Sequence, residues 1–294
     1  MMQDNKISGQ DVFQRLNDSV FLNNLEYTEL NEAIIRTPVQ GNVLETAFPV
    51  KVSANPFAEF HEYHKLDEYG NATESAFPGD ADAIEVNGTK VRVQLPWYHA
   101  DYKFTVQDLN NVRNLGLPLD ASKARAAAQK VNDLFDAALY SRSSVYGTLG
   151  AYGLFTGTAV ATRVWSAAAP YEIFNDVVNF IKAVPAAYQT PEMRMIVHQD
   201  NYHEMSRISD ANPQSARNLL AQSYPGLQII VSKEATEGFG LLYPFRDDVI
   251  YLVVGMPLRT VEWDNKPWEG HYKAVRSGRL IVVTATAGIK FGGV

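Results

Sequence analysis

Two segments of alternating apolar and polar residues, Phe48 to Ala54 and Thr89 to Leu95, bracket more than thirty residues that are polar, acidic and poor in core-building pattern. An alanine-rich run with helical period follows at Asp120. This order constrains the chain more than any other feature. Ordering so long a loop costs entropy that its own fold does not return, unless something else covers it. Laying it across a second copy returns that cost. The sequence therefore points toward a self-assembling chain and away from a compact catalyst.

Both alternating segments read as half-buried strands. Between them Glu59, Glu62, Asp67, Glu68, Glu74, Asp80, Asp82 and Glu85 outnumber Lys65 and Lys90, and Gly70-Asn71 and Pro78-Gly79 supply turn chemistry. The aromatics Phe57, Phe60, Tyr63, Tyr69 and Phe77 are scattered through this arm. On a projecting hairpin such rings mark a surface that awaits a partner, and they are the candidate contact residues between subunits.

Leu117-Pro118-Leu119-Asp120 halts an extended segment and offers an aspartate N-cap. From Ala121 the pattern has high helix propensity, with an apolar stripe at 124, 128, 131, 135 and 138 to 139. Val131, Leu134 and Phe135 are expected to form its buried core, while Lys123, Arg125, Lys130, Asp133 and Asp136 lean outward. Twenty residues at 1.5 Å each make a rod of about 30 Å.

Elsewhere the pattern is mixed. Val12, Phe13, Leu16, Val20 and Phe21 predict a short amphipathic helix, followed by an extended connector to Val43. Beyond Ala167-Ala168-Ala169-Pro170, the sequence predicts a helix over Tyr171 to Val184 and a strand over Met193 to His198. Helical pieces follow at Asn201 to Ile208 and Ser215 to Ser223, then a strand at Leu227 to Ser232. The last stretch is β-rich, with strands over Val249 to Val254, Leu258 to Trp263 and Leu280 to Ala287.

Composition narrows the function classes. A formal net charge of −7 argues against a chain-wide electrostatic grip on nucleic acid, although confinement of a nucleic acid needs no attraction. With no cysteine, disulfides, thiolate metal sites and cysteine nucleophiles are impossible. No apolar run approaches the roughly 20 residues needed to cross a bilayer. The N-terminus shows no signal-peptide pattern, and cytoplasmic synthesis is the expectation.

The order of arm, long helix, glycine loop, α/β insertion and β-rich end resembles the major capsid protein of tailed bacteriophages. That is the Hong Kong 97-type capsid fold, shared with encapsulin nanocompartments. Locally the resemblance rests on Tyr102-Lys103-Phe104-Thr105-Val106-Gln107-Asp108-Leu109, then Gly116-Leu117-Pro118-Leu119-Asp120 leading into the helix. Gly153-Leu154-Phe155-Thr156-Gly157 resembles the glycine loop after the family's spine helix, and Arg276-Ser277-Gly278-Arg279-Leu280 a frequent ending.

The resemblance implies an α+β fold divided as follows: 1–45, an N-terminal arm; 46–96, the E-loop; 97–165, a P-domain portion with its spine helix at 120–142; 166–250, the A-domain; and 251–294, a β-rich second P-domain portion. It implies a structural subunit that assembles with itself into pentamers and hexamers around double-stranded DNA, without catalytic residues, cofactor, metal or membrane. Other implied partners are a portal, a decoration protein and a scaffolding protein. Fewer than fifty residues precede the arm, so a separate scaffolding protein is expected rather than a built-in one. The implied location is the virion, after assembly in the host cytoplasm. An encapsulin-like compartment is the alternative within the fold. A hydrolytic or sugar-active α/β enzyme is the distant one.

The residues themselves give little chemistry. On an extended backbone His61 and His64 point to opposite faces, so a solvated strand is the expectation there. His198 and His203 flank a turn that contains Asp200, where capping and packing are the simpler roles. The glycine loop lacks the Gly-Lys-Ser or Gly-Lys-Thr ending of a phosphate cradle, and no Gly-x-Ser-x-Gly elbow occurs. Asp247-Asp248 reads as a solvated turn, and Trp263, Trp268 and Tyr272 as packing rather than a sugar platform. The resemblance also implies a lysine–asparagine link between subunits in some relatives; Lys65, Lys90 and Asn265, with Glu262 or Glu269 as a helping carboxylate, are the residue types for it, and no cross-link is expected here.

Overall fold

The structure, a computed structural model, describes residues 43–69, 85–105, 119–140, 150–208, 214–235, 237–266 and 269–293. The helix expected over Val12 to Phe21, the connector to Val43 and the turns at Gly70-Asn71 and Pro78-Gly79 lie outside these residues, as does Phe77.

The chain runs from α1 (Val43–Ala47) through β1 (Val50–Val52) into β2 (Phe60–Tyr69) and β3 (Glu85–Gln94). Then come β4 (Trp97–Thr105), α2 (Leu119–Tyr140), α3 (Ala151–Leu154) and β5 (Gly157–Val160). A 3₁₀ turn at Trp165–Ala167 leads into α4 (Pro170–Ala183), followed by β6 (Met193–Val197), α5 (Gln199–Ser206), α6 (Ala216–Ser223) and β7 (Leu227–Val231). The chain closes with β8 (Phe239–Pro244), β9 (Ile250–Lys266), β10 (Glu269–Val282) and β11 (Ile289–Gly292).

Among the described residues three sheets form. One has the order β1-β9-β10-β4, one β5-β11-β8-β6-β7, and β2-β3 form a sheet of their own. Alternation along β4 decides the faces of the first: Tyr98 and Tyr102 are buried, while Trp97, His99 and Asp101 are exposed. The buried face lies under α2, where the Tyr98 and Phe135 rings meet edge to face at 5.2 Å. Close approach of helix and sheet depends on Gly278, where a Cβ would stand 2.8 Å from the Val253 carbonyl oxygen and 3.2 Å from the Phe135 ring. The strands expected over Val249 to Val254 and Leu258 to Trp263 are one strand, β9, whose 17 residues span roughly 55 Å. Its ladder with β10 absorbs register shifts near Val275 and Ser277.

The larger core fills the space between α2, the first sheet and one face of the five-stranded sheet, with Leu252, Tyr272, Ile196 and Tyr243 among its members. Tyr243 is fully buried and donates to the Ala47 carbonyl at 2.9 Å, fastening α1 to the five-stranded sheet. The second core lies between that sheet and α4, where Phe180 stacks on Phe291 at 4.7 Å. Asp176 on α4 is buried and accepts from the Thr162 amide, the Thr162 hydroxyl and the Trp165 indole at 3.0, 2.6 and 3.2 Å.

Helix α2 spans the expected segment, and Ala124, Ala128, Val131, Phe135, Ala138 and Leu139 are all buried. Two expectations for it need correction. Leu134 is 36% exposed rather than core. At about 100° per residue it falls roughly 60° beyond Val131, on the side away from Phe135, and so leaves the buried arc. Asp136, expected outside, is 2% exposed. With Asn132 one turn earlier it widens the buried face to a polar strip.

Arg276 of β10 fills that strip. Its guanidinium lies over the Phe135 ring at 3.9 Å, donates to Asn132 Oδ1 at 2.9 Å and pairs with Glu45 of α1 at 2.6 Å. Burial pushes the Asp136 carboxyl up to about 7, against the opposing pull of the Arg276 charge. One of its oxygens, Oδ1, has no hydrogen-bond partner.

Two predictions follow from α2. Phe135→Ala should lower folding stability by about 2–5 kcal/mol, the usual cost of emptying a core site. Lys130→Ala and Leu134→Ala should each cost far less, and denaturant melts followed by circular dichroism would rank the three. For Asp136, a folded pKa above the unfolded 3.8 means the folded state holds the proton more tightly. Its stability contribution is therefore intact below about pH 4 and is lost as pH rises through about 7. A shift of that size corresponds to about 4 kcal/mol. Asp136→Asn should flatten this part of the pH profile and raise the melting temperature at pH 8 relative to wild type.

Candidate assembly surface

Ten residue pairs run from Phe60↔Gln94 to Tyr69↔Glu85 in the β2–β3 hairpin, a ladder of about 33 Å. Among the described residues neither strand joins another sheet. Alternation alone cannot bury a two-stranded ribbon, and a hairpin without a third strand or a covering layer is marginal in water. The described outer residues His64, Lys65, Gly88, Thr89 and Lys90 are exposed.

The expected first arm strand is corrected here. Only Val50–Val52 of the Phe48 to Ala54 segment is strand, and it pairs in parallel with β9 in the body sheet rather than with β3. Its side chains are exposed, Val50 at 47% and Val52 at 74%, whereas Phe48 is buried against Tyr243. The alternation came from a three-residue edge strand beside a core phenylalanine. The hairpin itself starts at Phe60.

Its root is anchored in the body. Leu95 is buried in a small cluster with Tyr251, Val253 and Ile281, on which Tyr63 and Val93 also pack. The Leu95 amide donates to the Glu59 carbonyl at 2.8 Å, closing the base of the hairpin. Tyr251 is the hub of this root. Tyr63 meets its ring edge-on at 6.4 Å, His61 Nε2 lies 3.3 Å from its hydroxyl, and the Lys51 ammonium sits 4.1 Å over its face. Lys51 also pairs with Asp247 at 3.1 Å. Burial, then the nearby Tyr63 and Asp247, pushes the Tyr251 phenol up to about 12. Burial and the Lys51 charge hold His61 below its ordinary value, so it is neutral near pH 7.

On the opposite face Glu62 pairs with Lys90 at 2.6 Å and lies 3.8 Å from Arg92. The hydrogen bond from Lys90 is the main reason its carboxyl is lowered. Arg92 stacks over Phe60 at 3.9 Å.

The five candidate contact aromatics are therefore not alike. Phe60 is 40% exposed on the hairpin. Phe57 is 62% exposed but precedes the hairpin, stacked on Trp97 at 6.4 Å. Tyr63 is half-buried by its own body against Tyr251. Tyr69 ends β2, and its side chain, like Phe77, lies outside the described residues. Sequence reasoning missed Tyr251, Leu95 and Lys51. Their only sequence signal is a Lys-Val and a Tyr-Leu-Val motif about two hundred positions apart.

Among the described residues no group of three or more His, Asp or Glu could hold a metal ion, and no helix is long and apolar enough to cross a membrane. His198 caps α5, accepting from the Asp200 amide at 3.3 Å. Asp247 and Asp248 sit in an exposed turn, and Tyr272 is buried.

Replacing 62–92 by a short Gly/Ser turn, with Glu59 and Leu95 retained, should leave the thermal melt of the body near wild type and abolish higher assembly in light scattering. Loss of the folded body would show that the hairpin belongs to the core.

Known proteins share this architecture. A family model described as encapsulating protein for peroxidase matches residues 61–263, more than half of the chain. No curated protein matches in sequence. Among solved structures, the capsid of Myoviridae phage XM1 superposes with a TM-score of 0.71 at 14% identity, covering 85% of this chain and 91% of that one. A virus-like particle from Pyrococcus furiosus gives 0.67 at 14% identity, with 90% and 98% covered. The capsid of a native GTA particle gives 0.63 at 13%, with 87% and 92% covered. At these identities the likeness shows the fold, and it is the Hong Kong 97-type capsid fold.

Proposed function

Because the chain belongs to the family of encapsulating proteins described for peroxidase, and has the fold of phage capsid subunits, we propose that it is the structural subunit of a closed icosahedral shell. Copies assemble into pentamers and hexamers, and the shell is a virion that encloses double-stranded DNA. The observation that carries this reading is the β2–β3 hairpin, ten pairs long, joined to no other sheet among the described residues and pinned at its root. Such a ribbon becomes stable when a neighbouring copy covers it. Phe60 and Phe57, with Tyr69 and Phe77, are the proposed contacts. Residues 46–96 work as the arm, although β1 within them serves the body. Residues 97–165 and 251–294 form the spine-bearing layer, 166–250 the α/β layer, and 1–45 an N-terminal arm.

No residue is proposed to be catalytic: the described side chains pack and pair with one another. The net charge of −7 favours containment of DNA over adhesion to it. A portal, a decoration protein and a separate scaffolding protein are the further partners of a virion shell. Assembly then takes place in the host cytoplasm.

The family match favours a second reading, a protein compartment loaded with an enzyme cargo. The contents of the particle separate the two. Purified chain, with scaffolding protein if assembly needs it, should give closed shells by negative-stain microscopy. Isolated capsomers should show little affinity for duplex DNA at 0.2 M salt, roughly physiological, in fluorescence anisotropy. Particles from the native host should carry nuclease-protected DNA; a co-purifying enzyme in DNA-free particles would select the second reading. A chain that stays monomeric under every assembly condition would remove both.

A further inference from the structure

The first sheet has a second face, turned away from α2. On β4 the residues that alternate with the buried Tyr98 and Tyr102 belong to it, and Trp97, His99 and Asp101 are exposed there. The ladders carry this face across the sheet. His99 pairs with Val275 and Val275 with Arg259, while Asp101 pairs with Lys273 and Lys273 with Val261. Two rows of side chains from β4, β10 and β9 therefore lie side by side. Trp97 and Met256 both pair with Ser277 and form the ends of the next row. Phe57, from the connector before the hairpin, stacks on Trp97 at 6.4 Å. These residues enclose a hollow of about 430 Å³.

The floor of the hollow is aliphatic: Met256 is buried, and Val261 and Val275 are half-buried. Its rim is basic. Arg259 lies 5.4 Å over the Phe57 ring and, among the described residues, has no acidic partner. Lys273, whose side chain is 18% exposed, shares Asp101 with His99, at 3.6 and 3.7 Å. Arginine and lysine thus face a single carboxylate, which leaves positive charge beside an apolar recess. Sites for small molecules have this make-up, with about 300–1,000 Å³ of mostly apolar space and a few polar groups that fix orientation.

We propose that this hollow binds a small amphiphilic anion, a medium-length hydrocarbon chain ending in one carboxylate, with its head on Arg259 and its chain on Met256, Val261 and Val275. The charge of the ligand follows from the rim, because a guanidinium donates well to a carboxylate and gains little from an uncharged head. The shape follows from the floor. Phe57 already stacks on Trp97 and carries Arg259 over its ring, so the surface left to a ligand is the branched aliphatic one. The site does not depend on what a shell would enclose. Phe57 is also among the proposed contacts between copies, so binding is read on subunits before assembly.

Dodecanoate and dodecanol, which share a chain and differ in the charge of the head, are titrated into the purified unassembled chain by calorimetry. Dodecanoate should bind one to one and about tenfold or more tighter than dodecanol, the usual margin of a hydrogen bond to a charged group. Arg259→Gln should bring dodecanoate to the level of dodecanol and leave dodecanol unchanged. Val261→Phe, which fills the floor, should weaken both ligands at an unchanged melting temperature. Equal affinities in the wild-type chain would overturn the proposal, and so would many molecules adsorbed per chain. A charge preference that survives Arg259→Gln, or wild-type binding by Val261→Phe, would place the ligand elsewhere and overturn it too. Failure of these titrations leaves the shell reading intact, and a chain that never assembles leaves this site intact.

Discussion

The buried guanidinium of Arg276 holds together three elements that the sequence keeps far apart. It bonds Asn132 on α2, pairs with Glu45 on α1 and covers the Phe135 ring from β10. A charge taken out of water at such depth is costly unless its partners are placed to receive it. Arginine suits the position because its planar head can stack on an aromatic ring and donate in several directions at once. Lysine would keep the charge but lose the geometry. The arrangement fixes the height of α2 over the sheet, and Gly278 two residues further on gives Phe135 the room to lie there. Asp136 is the cost of this design, a carboxyl carried into the same strip with one oxygen unpartnered.

From that fixed spine the two layers differ in how they are finished. The α/β layer has its own second core, and its polar interior is satisfied locally, as with Asp176 and the Thr162 and Trp165 donors. The hairpin has no comparable interior. It depends on a root of one leucine and one tyrosine, Leu95 and Tyr251, and its described outer residues are exposed. Stability and incompleteness are thus separated in space, which is what a subunit needs if it must fold before it assembles. A body that required its neighbour to fold would expose its whole core during assembly.

What the sequence revealed, and what it hid, follows from the range of each interaction. The buried stripe of α2 was legible because a helix repeats every 3.6 residues and its apolar positions lie within one segment. Helix α4, which starts at Pro170, and strands β6 and β7 were legible for the same local reason. Leu134 misled because an apolar residue one step off the stripe looks like a member of it. Asp136 misled because its reason for burial is Arg276, about 140 positions later. β1 misled because strand pairing is decided by β9, some two hundred residues away, and not by local alternation. The arm was recognised as an arm from its length and its acidity, yet its true start at Phe60 depends on where Leu95 plugs into the body.

The same distinction governs how much of the assembly surface is visible in one chain. A residue that packs on its own body declares its partner: Tyr63 was counted with the exposed arm aromatics, but Tyr251 covers it. A residue that awaits another copy declares itself only by what is missing around it, as at Phe60, Val160 and Tyr171. These three lie on two different layers, one on the hairpin and two at the corner of the five-stranded sheet. A subunit with a single sticky surface can only pair. One with a long ribbon on one layer and exposed apolar side chains on another presents two separate surfaces.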